Sequence, residues 1–140
     1  MSAVPRLAAE PIQRALYQLL TGDAVLMDLI TAVVDYPPED QPYPFLQLGD
    51  AVETPDNAHD RHGSQTVVTL HVWSQYRGYA QALGIAGRLV ELLDHQPLTI
   101  TGHRHVVTRL VQVLTLTDPE PPGDIRHVPV TFRVVTEVSN

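Results

Sequence analysis

The alternation of side chains at residues 65–74 predicts a strand, the strongest strand signal in the chain. Successive side chains of a strand point to opposite faces of its sheet, so every second residue shares one face. The predicted core face carries Thr66, Val68, Leu70 and Val72. The opposite face carries Val67, Thr69, His71 and Trp73. We expect this second face to be exposed or to pack against a neighbour.

Helical periodicity follows this strand, from about residue 79 to residue 94. One apolar stripe recurs there at three- and four-residue spacing: Leu83, Ala86, Gly87, Val90 and Leu93. A second stripe lies beside it: Ile85, Leu89 and Leu92. Because the combined apolar arc is wide, we expect this helix to pack on a sheet and also to contact a second surface.

Two shorter helices are predicted nearer the N-terminus, after a flexible arm formed by residues 1–8. The first begins at Glu10 and Pro11, where an acid complements the helix dipole and proline costs nothing. Gly22 supplies a left-handed end to it. The second covers residues 24–30, with Asp23 as its N-cap.

The remaining strands are predicted at residues 33–36, 45–52, 104–116 and 126–138. The prolines within residues 37–44 exclude a helix or a central strand from that connection. Pro129 removes one backbone donor from the last strand, which predicts an edge position or a bulge for it. This order of elements favours an α+β fold, in which a mixed or antiparallel sheet has helices packed on one face. We expect a single domain over residues 1–140, an ordinary length for one domain.

Composition narrows the classes of function. Charged residues make up 18% of the chain, below the ~25% typical of soluble domains, which hints at permanent contact with other chains. The net charge of −7 argues against nucleic-acid binding, because such binding needs clustered cations. The charge is also uneven. Residues 1–60 hold ten acids and two arginines, a balance of −8, whereas residues 61–140 hold six acids and seven arginines, a balance of +1.

Signals for targeting and for membrane insertion are missing from the sequence. The N-terminus has no apolar run behind basic residues, and no apolar run approaches the ~18 residues of a membrane span. We therefore expect a soluble protein that is made in the cytoplasm and has no membrane partner. The chain contains no cysteine, so disulfides and thiolate metal sites are excluded.

Candidate chemistry is sparse. Among the seven histidines, His103 and His105 share a strand face, and His59 and His62 lie in one loop. No third ligand falls at a recognisable spacing, so surface histidines explain this pattern better than a metal-dependent enzyme does. We predict no catalytic residue, no metal ion and no cofactor, in a protein that is not an enzyme.

Several short segments, taken in order, resemble one family of virion proteins. These segments are residues 15–17, 20–21, 43–45, 70–74, 77–78, 98–104 and 117–119. Their order and spacing over about residues 9–137 resemble the tail-completion, or tail terminator, proteins of long-tailed phages and gene transfer agents. The succession of segments, rather than any one of them, carries this resemblance.

The resemblance implies a structural role in the virion, at the junction of head and tail. Members of that family form a hexameric ring that caps the head-proximal end of the tail tube and stops its polymerisation. The ring joins the tube protein to a head-completion or connector protein, and DNA passes through its lumen without specific binding. The implied homohexamer is assembled in the host cytoplasm. A head-completion, connector or tail-tube-like ring subunit is the alternative.

In such a ring, polar loops and the outer strand face are the expected contacts. The loops at residues 53–63 and 117–124 contribute Asp56, His59, Arg61, His62, Asp118 and Glu120. The outer strand face contributes His71 and Trp73. Given the uneven charge, Arg61 and Arg77 are candidates to pair with acids of a neighbouring subunit.

Overall fold

A computed structural model describes residues 4–117 and 125–139 of the chain. Within these ranges the elements are α1 (Ala9–Thr21), α2 (Ala24–Leu29), β1 (Val33–Val34), β2 (Phe45–Pro55), β3 (Gly63–Gln75), α3 (Ala80–Leu93), β4 (His103–Val113), β5 (Leu116–Thr117) and β6 (Ile125–Val138). None of the helices described here has the length and apolar character needed to cross a membrane.

The strands form one mixed sheet in the order β1-β2-β3-β6-β4, and the short strand β5 also pairs with β6. β1 runs parallel to β2, and the other pairs are antiparallel. The longest pairing joins β3 to β6, from Gly63 opposite Glu137 to Gln75 opposite Ile125. The C-terminal strand therefore lies in the middle of the sheet, and β4 lies at one edge.

The helices cover one face of this sheet. They share a buried cluster with the strands that includes Ile12, Leu16, Leu20, Leu26, Ile85, Leu89, Leu70, Val72, Val130 and Phe132. The core face predicted for residues 65–74 is buried, as are the alternate residues of β6 from Val128 to Val134. Burial of each large apolar side chain contributes roughly 1.5–3 kcal/mol, so this layer supplies most of the stability. The predicted α+β fold is confirmed.

The buried side of α3 takes residues from both predicted stripes. Its buried residues are Ala82, Ile85, Ala86, Leu89 and Leu93. Leu83 is 43% exposed, and Gly87 is exposed as well, so this part of the wide apolar arc lies outside the contact with the sheet. Two apolar stripes overlap on this helix, and packing on the sheet selects the side that contains Ile85 and Leu89.

β6 lies inside the sheet, so the edge position predicted from Pro129 is wrong. Pro129 faces His71 of β3 on one side. On the other side, its carbonyl accepts a hydrogen bond from the N–H of Leu114 (3.1 Å), in the gap between β4 and β5. The N–H and C=O of an extended residue point to the same side, so the missing N–H would also face this gap. A break in the neighbouring strand accommodates the proline.

At the junction of α1 and α2, the predicted N-cap is confirmed and the predicted left-handed glycine is wrong. The carboxylate of Asp23 accepts a hydrogen bond from the N–H of Leu26 (2.8 Å), which confirms the N-cap. Arg88 of α3 binds the same carboxylate at 3.0 and 2.8 Å, and this contact holds the pKa of Asp23 below its usual value. Gly22 has a φ of −84°, so it is not left-handed. Helix α1 ends because the backbone of Asp23 is extended.

The end of α3 fixes the position of β4. Asp94 accepts a hydrogen bond from the N–H of Leu110 (2.9 Å). The N–H of His95 donates to the carbonyl of Thr108 (2.7 Å), and His95 adopts the left-handed φ of 58° that commonly follows a helix. These bonds make β4 a supported edge of the sheet.

Glu53 joins the sheet to the start of α1. It lies in β2, which continues to Pro55, so the polar loop is shorter than the predicted residues 53–63. Its carboxylate accepts hydrogen bonds from the N–H groups of Ala8 (2.8 and 3.0 Å) and Ala9 (3.1 Å), and from the hydroxyl of Ser64 (2.7 Å). The first N–H groups of a helix have no partner inside it, and the helix dipole favours a carboxylate there. Ala8, the last residue of the predicted arm, is buried.

Replacing Glu53 with alanine is expected to lower the free energy of unfolding by about 1–2 kcal/mol, because the start of α1 loses its cap. Urea unfolding followed by circular dichroism measures this difference. Glu39→Ala, at an exposed acid in the proline-rich segment, is the matched control and should leave stability unchanged. Equal stabilities for both variants and the parent would contradict the capping role.

Candidate protein-interaction surfaces

The described residues hold no arrangement typical of an active site. Within residues 4–117 and 125–139, no three metal-ligating side chains converge. His105 contacts the hydroxyl of Thr108 (2.7 Å), and burial lowers the pKa of His105. His103 instead contacts the carbonyl of Thr101 (3.2 Å). The two residues share a face of β4, as predicted, but their rings contact different partners.

His71 and Trp73 meet His127 of β6 on the face of the sheet that the helices leave uncovered. The imidazole of His127 stacks on the indole of Trp73, with centroids 3.9 Å apart and planes 4° apart. His71 Nδ1 and His127 Nε2 lie 2.6 Å apart, so one ring donates a hydrogen bond to the other. Trp73 Nε1 donates to Gln47 Oε1 at 3.0 Å. We call these four side chains the imidazole–indole cluster.

Both imidazoles of the cluster are neutral near pH 7. Burial, reinforced by His71, lowers the pKa of His127 to about 4. Burial also lowers the pKa of His71, against an opposing effect of Asp50. A neutral pair suits the short contact, because two protonated rings would offer two donors and no acceptor.

Gly49 allows the ring of His71 to lie against β2. The register between β2 and β3 shifts between Leu48 and Ala51, so that Gly49 and Asp50 together oppose Thr69. A methyl group on Gly49 would lie 2.4 Å from the His71 ring and 2.7 Å from the carbonyl of Thr69. The bulge and the cluster therefore depend on each other.

Four predicted contact residues lie in the loop between β2 and β3, at one end of the sheet. Asp56, His59 and Arg61 are exposed there, and His62 is half-buried. Arg61 is bound inside the chain, because its guanidinium contacts Glu137 at 2.6 Å and Asp60 at 3.3 Å. Arg61 and Arg104 together hold the pKa of Glu137 below its usual value. An acid of a neighbouring subunit would have to compete with these partners for Arg61.

Arg77 lies at the opposite end of β3, exposed in the turn that precedes α3. Its carbonyl accepts a hydrogen bond from the guanidinium of Arg126 (2.6 Å). The guanidinium of Arg126 also lies over the ring of Tyr79, 5.4 Å from its centroid. Asp118 and Glu120, the two further predicted contacts, lie outside the described residues.

One edge of the sheet carries a surface that is absent from the predicted contacts. We define the basic edge by Arg109, Arg133, Val111, Val113, Leu114 and Leu116. Its apolar side chains are 39–45% exposed. A sequence signal existed, since apolar residues on both strand faces follow Arg109 without a charge until Asp118.

The other edge carries a second surface of opposite charge. We define the acidic edge by Asp35, Tyr36, Asp50 and Val52, all of them exposed. A groove of about 550 Å³ runs between this edge and α1, where Tyr17, Asp35, Tyr36 and Leu48 line it. No local pattern in the sequence indicates this surface, because the parallel pairing of β1 with β2 sets Asp35, which follows β1, beside the strand that carries Asp50.

Comparison with known proteins gives one family. The family described as "Tail completion protein gp17" matches residues 14–137. The chain is 30% identical to "Tail completion protein gp17" of Bacillus phage SPP1 over 122 residues, which cover 87% of this chain and 89% of that protein.

Two solved structures resemble the fold. A chain in the structure titled "Virion of native gene transfer agent (GTA) particle" has a TM-score of 0.85 at 26% identity, covering 93% of this chain and 97% of that one. The structure of bacteriophage SPP1 gp17 protein has a TM-score of 0.63 at 25% identity, covering 99% and 97%.

Gly49→Ala is expected to lower the free energy of unfolding by about 1–3 kcal/mol, because the added methyl group displaces the His71 ring or the strand. The matched control is Gly84→Ala on α3, where a new methyl group meets open space. That variant should stabilise the helix by up to about 1 kcal/mol. Thermal or urea unfolding compares the two, and a Gly49→Ala protein as stable as the parent would contradict the packing described.

The stability of the protein is expected to fall as the pH drops from about 6.5 towards about 4. The first value is the ordinary pKa of a histidine, as in the unfolded chain, and the second is the pKa of His127 in the folded protein. Over this window the unfolded chain binds a proton that folded His127 excludes, so stability rises with pH. His127→Gln should flatten the dependence, whereas His59→Gln, in the exposed loop, should retain it. Urea unfolding at stepped pH measures the slopes. An NMR titration of His127 with a midpoint near 6.5 would contradict the account.

Proposed function

The chain belongs to the gp17 family of tail completion proteins, and on that premise we propose that it forms a hexameric ring at the head-proximal end of a phage tail tube. Its role is structural, in the tail of a phage or gene-transfer-agent virion. In the proposal, the ring caps the tube, stops its polymerisation and joins it to the head-completion or connector protein.

The observation that carries the ring is the open basic edge. β4 is a long strand with no strand partner beyond it among the described residues. An unpaired edge with exposed valine and leucine is a template for association, and monomeric proteins usually blunt such edges with charge, proline or a covering element. The exposed apolar side chains continue past Val113 to Leu116, so charge does not blunt this part of the edge. A permanent subunit contact gives these side chains a partner.

The two ends of the sheet suit contacts along the ring axis. In a ring whose sheet edges meet neighbouring subunits, the strand ends point towards the two open sides of the ring. The loop with Asp56, His59 and His62 lies at one end, and Arg77 lies at the other. We assign these ends to the tube protein and to the head-completion or connector protein, since loops on a rigid scaffold often carry recognition.

The charge of the chain suits a channel that conducts DNA without holding it. A net charge of −7 on each subunit makes the assembled ring strongly acidic. An acidic wall repels phosphates, so the polymer can slide through the lumen. In this proposal the DNA is cargo and not a specific ligand.

Loss of the protein is expected to give tail tubes longer than those of the parent particle and unattached to heads, because nothing stops polymerisation or supplies the joint. Electron microscopy of particles from a strain without the gene measures tube length. Adding back the purified protein should restore joined tails. Tubes of normal length that still attach to heads would contradict the terminator role.

Quantitative mass spectrometry of purified tails separates this role from its alternative. A terminator is present as one hexamer per tail, whereas a tail-tube-like subunit is present in many stacked rings. A head-completion or connector protein would remain with the heads when heads and tails are separated. Recovery with the heads, or in large excess on the tails, would favour the alternative.

A further inference from the structure

We propose that neighbouring subunits of the ring meet through unlike edges of their sheets. The basic edge of one copy would pack against the acidic edge and the adjoining α1 groove of the next copy. This inference rests on the proposed ring and adds the contact that builds it. The partner of both edges is a second copy of this chain.

The arginines of the basic edge lack partners among residues 4–117 and 125–139. Arg109 of β4 and Arg133 of β6 are register partners, so their side chains leave the same face of the sheet side by side. Both are exposed, and neither makes an ion pair or hydrogen bond with any residue of the described ranges. Like charges directly opposite each other destabilise a sheet. A carboxylate from outside the subunit would relieve this repulsion.

The acidic edge offers such carboxylates. Asp35 and Asp50 are exposed and make no ion pair among the residues described. They follow the paired part of β1 and β2, where Val34 lies opposite Gln47. The carboxylates on the β1-β2 side of the sheet and the two arginines on the β6-β4 side are therefore opposite in sign. Complementary charge of this kind selects the orientation of a contact.

Apolar surface accompanies the charges on both sides. Val111, Val113 and Leu114 project from the basic edge. At the acidic edge, Tyr36 is 87% and Tyr17 48% exposed, on the rim of the groove beside α1. Tyrosines at the mouth of a groove are typical anchors of protein interfaces. The groove can take the valine and leucine side chains that the basic edge exposes.

The geometry favours a ring over a twofold dimer. A twofold contact sets the same edge of both copies together, which would oppose arginine to arginine or aspartate to aspartate. A contact between unlike edges is heterologous, and each copy then has one neighbour on each side. Such a contact closes into a ring when the rotation between neighbours fits.

Reversing the charge of either edge is expected to abolish assembly, and mixing the two reversed proteins is expected to restore it. The first variant is Arg109→Glu with Arg133→Glu, which makes both edges acidic. The second is Asp35→Arg with Asp50→Arg, which makes both edges basic. Each alone sets like charges together, whereas an equimolar mixture can form a ring of alternating variants. Native mass spectrometry, with tube ends present if the parent needs them, identifies the species.

Asp28→Arg is the matched control, because it reverses one exposed charge on α2, outside both sheet edges and both ends of the sheet. It should leave ring formation unchanged, whereas Arg109→Glu alone should weaken it at least tenfold. Circular dichroism checks that every variant folds. If a reversed variant is unfolded, Arg109→Gln with Arg133→Gln replaces it and should also weaken assembly.

The outcomes separate the edge contact from the ring itself. If the parent protein never assembles, alone or on tube ends, the proposed ring is wrong. If the parent forms rings and either reversed variant alone also forms them, the edge contact is wrong while the ring stands. Failure of the mixture to assemble would likewise overturn the pairing of unlike edges.

Discussion

The pairing of β3 with β6 is the constraint on which the rest of the structure depends. It joins the strongest strand of the chain to its C-terminal strand, with Leu70 opposite Val130 and Val68 opposite Phe132. This register directs one set of side chains under the helices and sets His127 beside His71 on the other face. A slip of one residue would exchange the two faces, burying the imidazoles and exposing the core. The same pairing leaves β4 at an edge.

The edges and ends of the sheet are then the surfaces available for contacts with other proteins. The core uses one face, and the imidazole–indole cluster consolidates part of the other. What remains open is a basic edge, an acidic edge and two ends with loops. A structural protein that must contact its own copies sideways and two different partners above and below needs four such surfaces. The surfaces of this chain are distributed in that way, which supports the proposed ring.

The sequence predicted those features that depend on neighbours along the chain. Alternation located the faces of β3 and β6, and Asp23 was recognised as a cap because its partner, Leu26, is three residues away. Features that depend on distant residues were missed. Glu53 caps a helix that begins more than forty residues earlier, and Arg61 binds Glu137 near the C-terminus. The edge position predicted from Pro129 was wrong because the gap that accommodates the proline lies in another strand.

Among the candidate contacts, too, only the features that depend on neighbours along the chain were predicted. His71 and Trp73 were rightly expected on an outer face, but their contact with His127, the register partner of Trp73, follows from strand pairing that no local pattern specifies. Arg109 and Arg133, which have no ion-pair partner in the described ranges, meet for the same reason. The proposal of a ring comes from the family resemblance. The edges that are candidates to build it are visible only in the tertiary structure.

Imaging of the particle neck at side-chain resolution tests the central claim most directly. The account predicts a single ring of this protein between tube and head, in which Arg109 and Arg133 of each subunit lie against Asp35 and Asp50 of the next. Subunits stacked in many rings along the tube would contradict the terminator role. A single ring whose contacts avoid both sheet edges would contradict the account of how it is built.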